Sequence, residues 1–263
     1  MRKYLFIFKT ELMNNLQYVF NILTGFIGYF IILYIFMNLW QYLYSDNASI
    51  INGYTMSQMV WYVIITEILW GSLGGRKLCN QISNDVISGN IAYHLNKPYN
   101  YILYSLSNHL GNVLFKLFIY IILGMLVGFI FLGKFPNLSI ISILIILITG
   151  ILSLIISILL ISFIGMFSFF VEDANPFYWI YSKFILILGT IFPIEYFPNL
   201  IQGILKFSPI YVVSYGPAKL FVDFSFDNAL SILIAQIIYI IISYLLCLII
   251  YKKGAKRLNV NGG

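Results

Sequence analysis

The chain has 263 residues, 61% of them hydrophobic and only 9% charged, with a net charge of +6. A soluble domain carries roughly 25% charged residues, and no soluble interior of this length hides so much apolar surface. These figures exclude a water-soluble enzyme or nucleic-acid-binding domain. They leave an all-α integral membrane protein, one unit over residues 1–263, whose lysines and arginines set topology and meet anionic headgroups.

In chain order, Leu5, Phe8, Leu12, Leu16 and Val19 recur at helical spacing between Arg2, Lys3, Lys9, Glu11, Asn14 and Asn15. The pattern reads as an amphipathic helix lying in the inner interface, or as a simple basic flank. The apolar run that follows exceeds a signal-peptide core of roughly 7–15 residues and no small-residue cleavage site follows it, so it reads as a retained span. A spanning helix needs about 20 apolar residues. Six runs meet or approach that: Val19–Trp40, Met56–Gly75, Val113–Leu132, Ile140–Phe170, the shorter Phe177–Phe192, and Leu230–Tyr251. They are continuous rather than alternating, which excludes barrel strands. With the N-terminus inside, twelve of the fifteen lysines and arginines fall on the inner side; Lys134, Lys206 and Lys219 fall outside. That bias places both termini in the cytoplasm of a multi-pass plasma-membrane protein. Lys116 and Lys183 lie close enough to inner helix ends to snorkel.

Chemistry-bearing motifs are sparse. "GSLGGRK" at Gly71–Lys77 imitates a phosphate-binding loop, but Leu78 stands where the hydroxyl should be, and the motif ends an apolar run rather than opening a helix. Close helix packing accounts better for its glycines. Cys79 and Cys247 form no CxxC, and His94 and His109 belong to no ligand cluster, so neither a metal nor a cofactor site is expected. Glu67 is the one acid well inside a span. Burying it unpaired costs on the order of 2.5–3.5 kcal/mol. It either lines a translocation path or helix-packing surface, or sits nearer the inner interface than the run suggests.

The connection Arg76–Asn112 is far longer than the roughly 2–8 residues a tight helix–helix link needs. Within it, Asp85 and Ser88 can cap, Gly89 can break, and Ile91, Leu95, Tyr99 and Leu103 follow at i+4 spacing until Pro98 interrupts. The spacing predicts a short surface helix anchored by Ile91, Leu95 and Tyr99, with Asp85, His94 and Lys97 turned toward a soluble partner; a solvated loop is the alternative. In "VEDANPFYW", Asn175 is expected to cap a helix and Pro176 to occupy its first turn, with Glu172 and Asp173 near the positive helix end. Pro193, Pro198, Pro209 and Pro217 exclude one continuous helix between the fifth and last runs. The stretch, which includes Glu195, predicts short re-entrant helices shielded by neighbours, or an extracellular loop.

"ISGNIAYHLNKPY" (Ile87–Tyr99), "VEDANPFYWIYSK" (Val171–Lys183), "FPIEYFP" (Phe192–Pro198) and "PIYVVSYGPAKL" (Pro209–Leu220) occur in that order among six spans. In this the chain resembles permease subunits of ABC-2-type exporters over essentially its whole length. The resemblance implies an N-terminal connecting helix and a coupling helix around Asp85, Ser88, Gly89, His94 and Lys97 that seats in a cytoplasmic ATPase subunit. It also implies an outer gate built from the re-entrant helices. Two permease subunits, identical or paralogous, would pair with two ATPase subunits, which bind the ATP and magnesium; this chain would hold no cofactor. Relatives of this kind carry lipids, hydrophobic drugs, peptides and glycans, and the 18% aromatic content suits a hydrophobic or amphipathic cargo. A secondary transporter or channel, needing no motor, is the rival reading.

Overall fold

The computed structural model describes residues 2–15, 19–44 and 50–261, with side chains for all of these except residues 19–24, 95 and 258–261. The expected apolar roles of Leu16, Val19 and Leu95 therefore lie outside what is described. Among the described residues the fold is helical, apart from turns and a single bridge pairing Ile51 with Tyr54. The helices are α1 (Arg2–Asn15), α2 (Val19–Leu43), α3 (Met56–Leu73), α4 (Gly75–Ile87), α5 (Asn90–Leu95), α6 (Tyr101–Leu132), α7 (Ile140–Gly165), α8 (Asn175–Ile185), α9 (Asn199–Lys206), α10 (Gly216–Val222) and α11 (Phe226–Asn261). Four of them contain stretches long and apolar enough to cross a membrane: Gly25–Leu43, Tyr101–Leu132, Ile140–Phe169 and Phe226–Arg257.

α3 is the axis of the bundle. Every side chain from Met59 to Leu69 is buried, as a helix apolar on all sides requires. α2, α6, α7 and α10 pack around it. A reciprocal cap starts it: the Thr55 hydroxyl accepts from the Gln58 amide, and the Gln58 side chain accepts from the Thr55 amide. Gly74, at φ 58°, ends it and turns the chain directly into α4. α2 buries one stripe, Tyr29, Leu33, Met37 and Trp40, and exposes Ile27, Phe30, Ile31 and Ile35, the pattern of a helix whose other face meets lipid.

Two boundaries differ from the sequence reading. The third apolar run begins its helix at Tyr101 rather than Val113, because the Asn100 side chain accepts from the amides of Ile102 and Leu103. At 32 residues α6 is about 48 Å long, well beyond the ~30 Å hydrocarbon core. The last helix likewise runs from Phe226 to Asn261, well past Leu230–Tyr251 at either end.

The extra turns of α6 carry Ser105, Asn108, His109 and Asn112, and α1 covers them. Phe8 and Leu12 lie half-buried on the α6 side, while Leu5, Phe6 and Met13 are exposed. The Lys3 ammonium donates to the Pro98 carbonyl, and the Tyr4 hydroxyl accepts from the Asn100 amide. Close approach of the two helices requires Gly111: a Cβ there would stand 2.6 Å from the Phe8 carbonyl oxygen. Gly111→Ala is therefore expected to destabilise the protein by about 1–3 kcal/mol through overpacking against backbone. Gly28→Ala, with nothing within 4 Å of the added atom, should be neutral or stabilising by up to about 1 kcal/mol. Thermal unfolding of the two variants in detergent checks the contrast.

Candidate functional site

At one end of the bundle α4 and α5 form an arm. α4 buries Leu78, Cys79, Ile82, Ser83 and Val86, a helical stripe seated under the end of α7. There Gly165 admits Ile82 and the Cys79 carbonyl, and the Ser83 and Ser168 hydroxyls share a hydrogen bond. Gly75 lies against Ile161 and the Tyr178 ring, so the arm also touches α8. Ser88 closes α4, its hydroxyl donating to the Asn84 carbonyl, and Gly89, at φ 77°, starts α5. Ile91 is fully buried.

The polar residues of this arm divide differently from the sequence reading, which turned Asp85, His94 and Lys97 outward together. Asp85 is half-buried and accepts from the Tyr101 hydroxyl at 2.7 Å. His94 Nδ1 is hydrogen-bonded to the Tyr99 hydroxyl at 2.7 Å, and its ring lies against Tyr101 and Tyr104. Tyr101 in turn stacks on Tyr251 of α11. Asp85 and His94 thus root the arm, because aromatic neighbours and a phenol partner face them from inside. The exposed tip is Ile87, Ser88, Gly89, Asn90, Tyr93 and Lys97, with the Lys97 ammonium 4.3 Å from the Tyr93 ring centre.

A second cluster lies where the proline-bearing helices end. α8 continues as a widened π-helical turn, Leu186–Ile191, and Pro193 stops it. Proline has no N–H to offer the carbonyl four residues earlier, which here is Gly189. That oxygen instead accepts from the Tyr62 hydroxyl at 2.6 Å and the Ser214 hydroxyl at 2.7 Å. The next carbonyl, Thr190, accepts from Thr66. The same event recurs in the helix that leads into α10. Pro217 releases the Val213 carbonyl, which takes the Ser153 hydroxyl, within a second π turn at Tyr211–Tyr215. In that turn the Gly216 amide bonds Tyr211, so the Val212 carbonyl is free for the Gln236 side chain at 3.0 Å. Gly189 lets the two breaks touch: a Cβ on it would come within 2.6 Å of Ile210 and 3.1 Å of Ser214.

Beyond Pro193, which also opens the single turn Ile194–Tyr196, Pro198 and Pro209 mark the turns between short helices. α9 is largely exposed through Leu200 and Ile204, as is Phe207 just beyond it, whereas α10 is buried against α3 and α7. Glu195 accepts from the Tyr215 hydroxyl at 2.6 Å and faces the Lys219 ammonium at 3.4 Å; Lys219 also pairs with Asp223 at 2.9 Å and lies over the Tyr54 ring. Trp40, Tyr44 and Tyr54 complete this end around Tyr196.

Glu67 is 3% exposed on α3, and one of its oxygens has no hydrogen-bond partner. It is inside the bundle, in the half of α3 nearer the arm. At the α7–α8 junction Asn175 is not the cap. Ala174 holds that position, and the Asp173 carboxylate accepts from both the Asn175 amide and its side chain. A carboxylate two residues back reaches the first free amide, so Asn175 moves into the first turn with Pro176. Glu172 is exposed beside them. Burial, with the Asp173 charge, pushes the Cys79 thiol up to about 11, which leaves it protonated and unreactive at neutral pH.

The sequence reading missed Tyr62, Thr66, Ser153, Ser214 and Gln236. Their signal was present: hydroxyl and amide side chains inside apolar runs, and prolines four residues beyond carbonyls that need new donors. The family model described as "ABC-2 family transporter protein" matches residues 30–262. No curated protein matches the chain. The junction's energetics are testable by mutation. Tyr62→Phe and Ser214→Ala each remove one of two donors to Gly189, and singly should cost about 0.6 kcal/mol. The double variant leaves a buried carbonyl unsatisfied and should cost more than the sum of the two, about 2–3 kcal/mol, as read by unfolding in mixed micelles.

Proposed function

The chain belongs to the ABC-2 family of transporter proteins, and from that premise we propose that it is the permease subunit of an ATP-driven exporter in the plasma membrane, with both termini cytoplasmic. It is a multi-pass membrane protein. On this reading α3 (18 residues, about 27 Å) and α8 with its π extension complete six crossings. The observation that carries the proposal is the α4–α5 arm. Its root is held by Asp85, His94 and a nest of tyrosines, and its tip has exposed apolar and cationic side chains at the bundle end rich in lysine and arginine. A rigid root with a protruding tip suits a coupling helix that docks on a cytoplasmic ATPase carrying the ATP and magnesium.

Two such chains, identical or paralogous, would face two ATPases. When nucleotide brings the ATPases together, the arms move as near-rigid bodies. α4 touches α7 at Gly165 and α8 at Tyr178, and the π extension of α8 meets Ser214 of the second broken helix at Gly189. Motion at the arm thus has a continuous packed route to the junction, which with α9, α10, Glu195 and Lys219 forms the outer gate. The cargo class is hydrophobic or amphipathic. An apolar cavity of about 300 Å³ between α3, α6, α7 and α10, lined by Ile65, Leu117, Met125, Ile146 and Phe221, supports that class. Nucleotide drives the cycle only through its different affinity for the two states.

The test is docking. The chain should co-purify in mild detergent with an ATPase bearing a phosphate-binding loop. Ile87→Glu combined with Tyr93→Ala should weaken that association by about tenfold or more, the loss expected from removing apolar anchors. Leu200→Ala, on α9 at the other end, should leave it unchanged. Unaltered binding of the ATPase by the tip variant would remove the arm from this role.

A further inference from the structure

A polar cleft of about 570 Å³ lies between α1, α4 and α6, apart from the arm's tip and from the proline junction. Its cations are Lys77 of α4 and Lys116 of α6, and the proposals above use neither. Lys77 is exposed and Lys116 is half-buried. Neither ammonium group has an ion-pair or hydrogen-bond partner among the described residues. The Lys116 ammonium reaches the turn between α3 and α4, 3.6 Å from where a Cβ on Gly74 would stand, and Lys77 lines the cleft from the first turn of α4. His109 is buried and its Nε2 donates to the Leu73 carbonyl at 2.7 Å. Gln81 and Asn108 add amide donors from α4 and α6. Glu11 is the one acid in the wall. It accepts from the Asn112 amide at 3.3 Å, and its single charge offsets only one of the two lysines.

We propose that this cleft binds a phosphate-bearing anion at the inner membrane surface. Two ammonium groups facing one cleft with a single carboxylate leave one positive charge unmatched, which an anion would neutralise. Lysine serves as a point-charge phosphate binder, and donors converging from two helices suit a group with several acceptor oxygens. The cleft is a built feature. Gly111 clamps α1 onto α6, Asn15 donates to the Glu11 carbonyl, and Gly74 forms part of the wall. It lies where α6 leaves the span and α1 carries its exposed Leu5 and Phe6, the level at which lipid headgroups sit. Lipid headgroup and soluble phosphate ester share the recognised chemistry.

Binding is read on the full chain without any ATPase, so it succeeds or fails independently of the transport reading. Native mass spectrometry of the protein, mixed in turn with phosphatidylglycerol and phosphatidylcholine, should show preferential one-to-one retention of phosphatidylglycerol. Each lysine near the surface contributes about fivefold, so Lys77→Gln should lower retention about fivefold and Lys77→Gln with Lys116→Gln about twentyfold or more. Lys134→Gln, at the opposite end, should not change it. Because Lys77 is exposed, its single variant keeps the test open even where the double variant unfolds. Displacement of the lipid by glycerol phosphate, or glycerol phosphate binding in its place, identifies a soluble ester as the source; failure to displace identifies the lipid. Either supports the site. Equal retention of the two lipids, together with no glycerol phosphate binding, overturns the proposal, as does retention unchanged by Lys77→Gln.

Discussion

A backbone carbonyl that loses its helical partner inside an apolar medium must find another donor, and this requirement organises the centre of the molecule. Pro193 and Pro217 release Gly189 and Val213, and the π turns beside them release Thr190 and Val212. Tyr62, Thr66, Ser153, Ser214 and Gln236 answer those oxygens from α3, α7, α11 and the second broken helix. An open loop at that depth would be untenable in lipid; irregular backbone is tolerated where protein encloses it. The buried, all-round apolar character of α3 follows, because it carries two of the donors and must be wrapped by the helices whose ends it satisfies.

The same arrangement explains how one end can be linked to the other. Hydrogen bonds to freed carbonyls can be exchanged between neighbouring donors, unlike those inside a regular helix, so on the transport proposal the two broken helices in contact supply an element with discrete alternatives. Gly189 holds them near van der Waals contact, and Ser214 bridges them. The arm at the opposite end is stiff by contrast. Its stripe of Leu78, Ile82 and Val86 and the ring contacts of His94, Tyr101 and Tyr251 give it no comparable freedom. A stiff input and a bistable junction, joined through α7 and α8, are the physical content of the transport proposal.

Much of this was legible in the residues. The apolar runs located the helices because lipid demands continuous apolar stretches, and the proline cluster marked where helices break. The break residues Gly74 and Gly89 fall where the chain takes positive φ. What was not legible is tertiary. Asp85 and His94 look like free polar groups in the sequence, but Tyr99 and Tyr101 reach them only once α5 folds back on α6. Asn100 extended α6 by twelve residues beyond its apolar run, since a cap and a partner helix let polar residues stay helical. At Asn175 a neighbouring carboxylate competed successfully for the cap. Hydropathy also understated α3, whose Gln58 and Glu67 lower its apolar character although it is buried along most of its length.

On the transport proposal, work done on the arm by a separate ATPase changes the proline junction. Ser214→Cys places a thiol at that junction, while Cys79 and Cys247 are buried. In proteoliposomes containing the chain with its ATPase, a membrane-impermeant maleimide applied from outside measures the junction's exposure directly. Labelling should be negligible without nucleotide and clear when the ATPase is locked with ATP bound. Labelling that is the same with and without nucleotide, or equally strong for the chain alone, would contradict it.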